Sequence, residues 1–586
     1  MSKHIIEQFI TSAIHTLQQQ GQLTVALPRI QIDSTKDKAH GDFATNVALV
    51  LAKPARQKPH DIAEMIVKAL PASTQIKKVE IAGPGFINFF LASNVLHRNV
   101  NDILSEGERY GHTDIGKHQR ILVEFVSSNP TGPLHVGHGR HAAFGAVVCN
   151  LLSAIGCQVH REYYINDAGR QMDILAVSVW IRYLTLCGES FPFPTNAYQG
   201  DYVVAMAHSL VREQGNTLVV PATFISTELP PDEPEGGDKE RYIDAVIAKA
   251  KTLLSEAQYD TIFDASLTSV LNDIRDDLAE FGVTFDEWFS ERAFVKTDAV
   301  ARTIQILKEK HFTYEKEGAL WFNSTQFGDD KDRVLLRANG AATYFVNDLA
   351  YHVRKLTRDF DTAIDIFGSD HHGYIPRLNA GLQACGIHAN KLCCHLLQFV
   401  MLYRGGQPVS MSTRSGSFVT LRELREEVGN DAARFFYVMR RAEQRIDFDL
   451  DLAKSHTNDN PVFYIQYAHA RICSVFRQLA EKNLTYDASQ GLAHLALLTE
   501  PHEAQMLSIL GRYRDIIKDA ALQHEPPILT NYLRELANDF HSYYNSHPFL
   551  VDDLHLRCAR LALISATRQV LANGLTLIGV STPESM

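Results

Sequence analysis

Two histidines that flank a valine and a glycine carry the most evident chemistry in this chain. The apolar residues 121–126 before them predict a short buried strand, and the residues from Gly139 onward predict a helix. We therefore expect His135 and His138 at a helix N-terminus, where free N–H groups and the helix dipole favour anionic oxygens. Gly137 has no side chain, so a flat ring such as adenine could approach the backbone there.

This turn predicts a phosphate site that could hold ATP while a carboxylate attacks the α-phosphate. Displacement of pyrophosphate requires the charge that grows on the phosphates to be neutralised, and His135 and His138 suit that task. The four residues alone are a weak signal, because two histidines three positions apart could instead be metal ligands or helix caps. A small-molecule adenylyltransferase could also use the same turn.

Two longer segments support the nucleotide interpretation. Residues 129–134 read Asn-Pro-Thr-Gly-Pro-Leu, and residues 161–169 read Arg-Glu-Tyr-Tyr-Ile-Asn-Asp-Ala-Gly. With the histidines, these segments resemble the catalytic start of arginyl-tRNA synthetases, which belong to class I of the aminoacyl-tRNA synthetases. The resemblance implies that ATP, assisted by Mg2+, activates arginine to arginyl-adenylate, which is then transferred to the 3'-end of tRNA(Arg) in translation. It further implies that bound tRNA is needed for activation and that the protein is a monomer.

The resemblance implies an ATP site formed by the histidines and by a second strand end. Gly368 and Asp370 match the Gly-x-Asp pattern that class I synthetases use near the ATP ribose. A carboxylate suits ribose hydroxyls, although an Asp that follows a strand can also cap a helix. The ATP-binding residues that we expect are Pro133, Leu134, His135, Gly137, His138, Gly368, Asp370, His372 and Met411.

The second class I signature, Lys-Met-Ser-Lys-Ser/Arg, is altered in residues 410–416. These residues keep Met411, Ser412, Arg414 and the glycine but replace both lysines, as is common among bacterial arginyl enzymes. We predict that Arg414 takes over the phosphate contact, because it is always charged and offers two donors. A solvent-exposed turn arginine is the alternative, and loss of catalysis in a tRNA-binding paralogue is another. The expected catalytic residues are His135, Gly137, His138, Met411, Ser412 and Arg414.

Acidic residues predict the amino-acid substrate. A guanidinium has five donors and no acceptor, so its pocket should present carboxylates with an aromatic lid. Glu124 lies within an apolar strand and requires a cation, which could also be an internal Lys or Arg. Asp348, four residues after Tyr344, matches the arginine-recognition element of the family. The expected arginine-binding residues are Glu124, Ser128, Asn129, His138, Tyr344, Asp348 and His372. The expected supporting residues are Asn166, Asp167 and Gln171.

Three regions with different patterns predict the fold class, which is α/β. Residues 1–110 predict a small α/β domain. Residues 111–455 alternate strands and helices, the pattern of a Rossmann-type doubly wound parallel sheet, with an insertion near 190–300 that contains an acidic linker. Residues 456–586 have long helical periods and predict an all-α helical bundle.

The resemblance assigns tRNA contacts to both flanking domains. The first resembles the extension that contacts the tRNA D-loop corner, and residues 460–471 match the entry into the anticodon-binding domain. Tyr464, Gln466 and Tyr467 there could stack on or hydrogen-bond to unpaired bases, although packing in the helix core explains the tyrosines equally well. In the first domain the alternative is that Phe86, Phe89 and Phe90 are core aromatics, with Asn88 exposed. The expected tRNA-binding residues are Asn46, Phe86, Asn88, Tyr464, Gln466 and Tyr467.

Composition excludes several other classes of protein. The chain has 586 residues with 45% hydrophobic content, and its apolar runs are shorter than a membrane span, so we expect a cytoplasmic protein with no membrane partner. The net charge of -11 argues against a uniformly basic surface, but a tRNA partner needs only a basic stripe. The eight cysteines are scattered, and the Cys-Cys-His run at 393–395 lacks paired-ligand spacing, so we expect no zinc and no other metal site. A cysteinyl-type synthetase would need such a zinc set.

Overall fold

The fold is that of a computed structural model, which describes residues 2–35, 40–409 and 418–586. The chain forms two compact units. The first combines Met1–Thr113 with His456–Met586, and the second comprises Asp114–Ser455. The three-domain division at 110 and 455 stays a prediction, although both of its bounds lie within four residues of the bounds of the second unit.

The N-terminal part of the first unit is a four-stranded antiparallel sheet covered by helices. The strand order is β1-β2-β4-β3, and the core is built from apolar side chains such as Ile10, Phe43 and Phe89. This part begins with a helix, has a further helix that ends at Ala69 and includes a strand pair that ends at Leu91, so it contains both helices and strands, as predicted. The elements are α1 (Ser2–Gln19), β1 (Ile32–Ser34), β2 (Phe43–Thr45), α2 (Val47–Ala55), α3 (Pro59–Ala69), β3 (Ile76–Ala82), β4 (Phe86–Leu91) and α4 (Ser93–Glu106).

The second unit is built on a five-stranded parallel sheet, which confirms the predicted doubly wound architecture. Its order is β12-β11-β5-β6-β7, and every neighbouring pair is parallel. The first half of the unit contains β5 (Arg120–Glu124), α5 (Val136–Ala154), β6 (Gln158–Ile165), α6 (Arg170–Leu186), α7 (Asp201–Gln214), α8 (Ala222–Ile225), α9 (Lys239–Leu253), α10 (Glu256–Glu280), β7 (Glu287–Ser290), α11 (Glu291–Val295) and α12 (Ala299–Glu309).

The second half of the unit adds two small sheets, with orders β10-β9-β8 and β14-β13-β15, beside the remaining parallel strands. Its elements are β8 (Thr313–Lys316), β9 (Ala319–Phe322), β10 (Arg333–Leu336), α13 (Tyr344–Thr357), β11 (Thr362–Gly368), α14 (Ile375–Cys385), β12 (Leu392–Leu397), β13 (Val400–Arg404), β14 (Gln407–Pro408), α15 (Leu421–Val428), α16 (Asn430–Val438), β15 (Ile446–Asp449) and α17 (Leu450–Lys454).

The range predicted as an insertion needs a correction. Residues near 190–300 are largely helical, but they also contain β7, which pairs with β6 and forms one edge of the parallel sheet. Four residues are too few to show a strand period, so the sequence pattern did not indicate this strand. The acidic segment forms a short 3-10 turn at Glu233–Glu235.

The C-terminal part of the first unit is a helical bundle, as predicted. The apolar residues of the predicted 3–4 period, among them Leu529, Leu536 and Tyr543, are all fully buried. The helices are α18 (Pro461–Glu481), α19 (Ala488–Ala493), α20 (Pro501–Leu510), α21 (Tyr513–Gln523), α22 (Pro526–Ser546) and α23 (Leu554–Ile578). By length and composition α23 could cross a membrane, but 67% of its apolar stretch is buried inside the protein, as in a core helix.

The two flanking regions pack against each other within the first unit. The Tyr110 and Tyr513 rings stack at 5.9 Å, and Ser508 Oγ donates to Asp42 Oδ1 at 3.0 Å. Asn573 Nδ2 donates to the Gly107 carbonyl at 2.9 Å. These partners are about 400 residues or more apart in the chain, so periodicity could not reveal their contact.

Candidate active site

A cavity of about 900 Å³ opens at the carboxyl edge of the parallel sheet in the second unit. Parallel strands bring their carboxyl ends to one edge, which is where ligands bind in doubly wound folds. The chain that follows β5, β6 and β11 contributes to the cavity wall, together with the start of α5 and of α13. The predicted site residues that line it are Glu124, Ser128, Asn129, His135, Gly137, His138, Tyr344, Asp348, Gly368 and Asp370.

The two signature histidines cap α5. The backbone N–H of Gly137 donates to His135 Nδ1 at 3.0 Å, and the N–H of His135 donates to His138 Nδ1 at 3.3 Å. The two rings stack with their centroids 3.6 Å apart. Because each Nδ1 accepts a hydrogen bond, a neutral ring must carry its proton on Nε2. Each histidine therefore offers one Nε2–H donor.

Burial keeps both histidines neutral. It lowers the pKa of His135 to about 4, with a smaller effect from His141. The pKa of His138 is lowered further, again chiefly by burial, with His135 and His141 adding to the effect. In this state the imidazoles would stabilise phosphate oxygens by donating hydrogen bonds, without a formal positive charge.

The expectation of free N–H groups at the start of α5 is wrong. The N–H of Val136 donates to the Val419 carbonyl, and those of His138 and Gly139 both donate to the His135 carbonyl. These hydrogen bonds occupy the backbone N–H groups that were expected to hold phosphate. Gly137, whose approach to adenine stays a prediction, also has a packing role, because a Cβ there would lie 2.9 Å from His135 Cε1. The missing side chain makes room for the capping ring.

A strained turn carries the chain from β5 into the cavity. Val126 and Ser127 have left-handed backbones, with φ of 69° and 42°, which is rare for residues other than glycine. This turn ends the strand two residues earlier than predicted. It lets Ser127 Oγ donate to Glu124 Oε1 at 3.0 Å and accept from the Tyr164 N–H at 3.1 Å. Strain held by such contacts is typical of functional sites.

Glu124 has an internal cationic partner, the alternative left open by the sequence. The ammonium of Lys355 contacts its carboxylate, and Tyr351 Oη lies 2.7 Å from Glu124 Oε2. Both Glu124 and Lys355 are buried. Burial raises the pKa of Glu124, and Lys355 opposes that rise. Glu124 still lines the cavity, but its requirement for a cation is met without a substrate.

Asp348 is an acid of the cavity wall whose surroundings keep it ionised. Its side chain is 31% exposed, and the Tyr374 hydroxyl donates to its carboxylate. Although burial acts to raise the pKa of Asp348, His352 and Tyr374 bring it below the ordinary value. Tyr344, one helical turn earlier, is 69% exposed and lines the same cavity. The carboxylate and the aromatic ring expected at the arginine site thus line one cavity.

Sequence reasoning missed Glu291, a third acid in the cavity wall. It is 7% exposed, and burial raises its pKa to about 7. Asp167 positions it by accepting from Ser290 Oγ at 2.6 Å and from the Arg292 N–H at 2.7 Å. Glu291 begins α11 directly after β7. Because β7 has only four residues, the sequence around Glu291 showed no strand period that would place it at a strand end.

Several predicted residues lie elsewhere. Among the described residues, Pro133, Leu134 and His372 are not part of the cavity wall, whereas His371 lines it. Leu134 is fully buried and its carbonyl accepts from the Leu421 N–H, which explains its absence from the wall. Gln171 is exposed, whereas Asn166 Nδ2 donates to Asn129 Oδ1 at 3.0 Å and lines the cavity. Met411, Ser412 and Arg414 lie outside the described residues.

Comparisons with known proteins identify the family. The arginyl tRNA synthetase N terminal domain matches residues 4–91, the catalytic domain of class I (R) tRNA synthetases matches 99–183 and 251–451, and the DALR anticodon binding domain matches 465–586. An arginine–tRNA ligase of Thioalkalivibrio sulfidiphilus is 59% identical, with 100% of both chains covered. One of Legionella pneumophila is 56% identical, with 100% of this chain and 99% of its own covered. The chain belongs to the arginyl-tRNA synthetases.

The fold agrees with this assignment. A solved arginyl-tRNA synthetase of Thermus thermophilus superposes with a TM-score of 0.76 at 21% identity, with 100% of both chains covered. The enzyme is an arginine–tRNA ligase, which forms arginyl-adenylate from arginine and ATP and transfers the arginine to the 3'-end of tRNA(Arg). The predicted family and function are confirmed, and the adenylyltransferase, cysteinyl and non-catalytic alternatives are excluded.

In the N-terminal domain of this synthetase, the residues expected to bind tRNA differ in exposure. Phe86 is 41% exposed and available to a partner, whereas Asn88 is 4% exposed. The alternative expectation that Asn88 is exposed and Phe86 is a core aromatic is therefore wrong, and only Phe89 fits it with full burial. Asn46 caps α2 without a side-chain cap hydrogen bond, and its Oδ1 has no hydrogen-bond partner among the described residues.

In the anticodon-binding domain of the synthetase, the three predicted residues are all engaged within the bundle. Gln466 is 7% exposed, and its Nε2 donates to the Ser581 carbonyl at 3.0 Å. The rings of Tyr464 and Tyr467 pack on His541 at 4.4 and 5.7 Å. Both tyrosines remain half-buried, so their rings keep some surface for a base.

One group of potential metal ligands in the catalytic unit is already occupied by a side chain. His160, Glu162 and Glu287 have ligand atoms within 4.8 Å of one another. Arg358 donates to Glu162 at 2.7 Å and to Glu287 at 2.8 Å, so its guanidinium takes the position of a cation. The expectation that the synthetase needs no zinc stays a prediction.

Proposed function

We propose that the cavity binds ATP at its histidine end and arginine at its Asp348 end. The observation that carries this proposal is that His138, Gly368 and Asp348 all line one cavity of about 900 Å³. This size suits two ligands held in contact, because typical ligand sites occupy about 300–1,000 Å³. A carboxylate of arginine could then reach the α-phosphate of ATP without either ligand moving far.

In this proposal the histidines stabilise the transition state. Their Nε2–H donors would meet the negative charge that develops on the transferred phosphate, in a partly dry site where such hydrogen bonds are strong. Gly368 and Asp370 would contact the ribose. Mg2+ bound to the ATP phosphates would supply further neutralisation of their charge.

Arginine specificity rests on Asp348 in this proposal. Its lowered pKa keeps the carboxylate charged at neutral pH, and Tyr344 could close over the aliphatic part of the substrate. Asn129, which Asn166 holds, would bind the α-amino or carboxylate end. Ser128 lines the same wall and donates to or accepts from Tyr163 Oη at 2.7 Å. Glu124, paired with Lys355, would form a charged part of the cavity wall.

We also propose the roles of the remaining parts. Residues 1–110 would contact the D-loop corner of tRNA(Arg), through Phe86 in particular, and residues 456–586 would read the anticodon. Met411, Ser412 and Arg414 would complete the phosphate site. We further propose a cytoplasmic monomer, which the molar mass from light scattering would test against the 65.7 kDa of one chain.

The substitution Asp348→Asn tests the arginine site. We expect the KM for arginine to rise about ten- to hundredfold, because a charge-assisted hydrogen bond contributes about 1.5–3 kcal/mol. The KM for ATP should change by less than about twofold, because the substitution leaves the histidine end intact. Both constants are measured by tRNA aminoacylation, with Asp447→Asn as a control at an exposed carboxylate. Equal rises in both constants would contradict the assignment.

A further inference from the structure

Buried charged side chains lie next to Asp348, at the end of the cavity proposed to bind arginine. His352 and Lys355 lie four and seven residues after Asp348 on α13, so all three occupy one face of the helix. The side chains of His352 and Lys355 are 2% and 0% exposed. Both meet Asp365, a fully buried residue of β11. Charged groups this deep in a protein are rare unless they are paired or functional.

The surroundings of His352 fix its protonation state. Its Nδ1 lies 2.8 Å from the Asp348 carbonyl oxygen and 3.4 Å from Asp348 Oδ1, and its Nε2 lies 2.9 Å from Asp365 Oδ2. Each ring nitrogen thus faces an acceptor, and a neutral imidazole has only one donor. Both nitrogens must donate, which makes the ring an imidazolium. Burial acts to lower the pKa of His352, but Asp348 and Asp365 bring it to about 10.

The two acids of the arginine end therefore differ in their environment. Lys355 contacts the carboxylates of both Glu124 and Asp365, so the charge of Glu124 is met inside the protein. Asp348 instead has its Oδ1 3.4 Å from His352 Nδ1, accepts from the Tyr374 hydroxyl and lines the cavity. The imidazolium and the tyrosine thus hold this carboxylate at the cavity wall, where a ligand cation can reach it.

We propose that His352 is a positioning residue for arginine recognition, which keeps Asp348 ionised and aimed at the substrate guanidinium. This inference rests on the proposed function, in which Asp348 binds arginine. His352 does not touch the substrate in this scheme. It acts through Asp348, with Asp365 as the fixed anchor on the neighbouring strand.

The proposal predicts how arginine binding responds to pH. Without the imidazolium the pKa of Asp348 rises, so the carboxylate becomes protonated as the pH falls through that raised value. Glu291 faces the same carboxylate and titrates near neutral pH, so both profiles are best recorded in Glu291→Gln protein. The charged or titratable groups that face Asp348 are His352, Lys355, Tyr374, Glu291 and Tyr164.

The test is the KM for arginine in tRNA aminoacylation between pH 5.5 and 8, with and without His352→Gln. The glutamine amide can donate hydrogen bonds through its NH2 group but carries no charge. We expect a rise of about tenfold or more that grows as the pH falls, whereas the KM for ATP stays unchanged. Without His352→Gln, the KM for arginine of the Glu291→Gln protein should stay constant over the same pH range. His160→Gln is the matched control, because His160 contacts Glu287 on the partly exposed side of the same sheet.

The outcomes separate this inference from the proposed function. If Asp348→Asn raises the KM for arginine but His352→Gln leaves it unchanged, the positioning role is refuted and the arginine site stands. If Asp348→Asn also has no effect, both are refuted. A loss of thermal stability with an unaltered pH profile would show a merely structural histidine and would also refute the proposal.

A second measurement needs no folded variant. Protein labelled with 15N-histidine should show an imidazolium at pH 8, with ring signals that shift when arginine is added. Spectra in which every histidine is neutral at pH 8, or in which the imidazolium ignores arginine, would overturn the proposal.

Discussion

Lys355 offers the sharpest test of the buried charge arrangement. Its ammonium contacts Glu124 and lies 2.8 Å from Asp365 Oδ1, and the side chain is fully buried. The substitution Lys355→Met keeps a side chain of similar length but removes the charge. Two buried carboxylates then lose a common partner, which is the situation in which a buried ion pair matters most to stability.

The expected loss in the free energy of unfolding depends on the hydrogen-bond partners that each acid retains in the variant. Removal of one partner from a buried pair costs about 3–5 kcal/mol. Glu124 retains the hydroxyls of Tyr351 and Ser127, and Asp365 retains His352. We therefore expect the free energy of unfolding of the catalytic unit to fall by about 3 kcal/mol at neutral pH, near the lower end of that range.

The pH dependence has a definite sign. Although burial acts to raise it, Lys355 and His352 hold the pKa of Asp365 at about 2, so Asp365 stabilises the unmodified protein above about pH 4. In the variant, burial without the cation raises the pKa of Glu124 and Asp365 above their unfolded values. Protonation then relieves the buried charge at low pH, and the loss of stability should be larger at pH 8 than at pH 5.5.

Tryptophan fluorescence in urea measures this loss selectively. All three tryptophans, Trp180, Trp288 and Trp321, belong to the unit Asp114–Ser455, so the signal follows that unit alone. Lys251→Met is the control, because Lys251 is about half exposed and its pair with Asp173 should contribute less than about 1 kcal/mol. A loss for Lys355→Met no larger than that of the control, or one larger at pH 5.5 than at pH 8, would refute the reasoning.

Two further predictions concern α5. His138→Ala should slow single-turnover adenylate formation by about a hundredfold or more because a preorganised donor is lost, while stability falls by only about 1 kcal/mol for the cap; a collapse of thermal stability would instead indicate a packing role. Gly145→Ala should lower the free energy of unfolding by about 1–3 kcal/mol in the same urea assay, because a Cβ there would lie 2.3 Å from the Phe125 ring; unchanged stability would show that α5 can shift away from the sheet.

Much of the architecture could be predicted from local patterns. The parallel sheet followed from alternating strands and helices, and the bundle followed from the 3–4 spacing of residues such as Leu533 and Phe540. The cavity residues next to strand ends, such as His135 and Gly368, could also be placed, because parallel strands bring these ends together. Asp348 and Tyr344 lie on one helical turn, as their spacing indicated.

The remaining features depend on contacts that no local pattern records. Whether Glu124 met a substrate or an internal cation depended on Lys355, which is 231 positions away. Glu291 reaches the cavity through a strand too short to show a period. His352 and Lys355, four and seven residues after Asp348, could have indicated buried charge pairs, because charged residues on the buried face of a helix require partners. The acceptors of the first N–H groups of α5, which include the His135 ring and the distant Val419 carbonyl, could not be inferred from the local sequence either.

A structure of the enzyme with arginine and a non-hydrolysable ATP analogue tests the central claim most directly. We predict that both ligands bind in the cavity lined by His138 and Asp348, with the guanidinium at hydrogen-bond distance from Asp348 and the phosphates beside His135 and His138. We also predict that Lys355 stays on Glu124 when arginine is bound. Arginine bound away from Asp348, or phosphates held far from both imidazoles, would contradict the central claim.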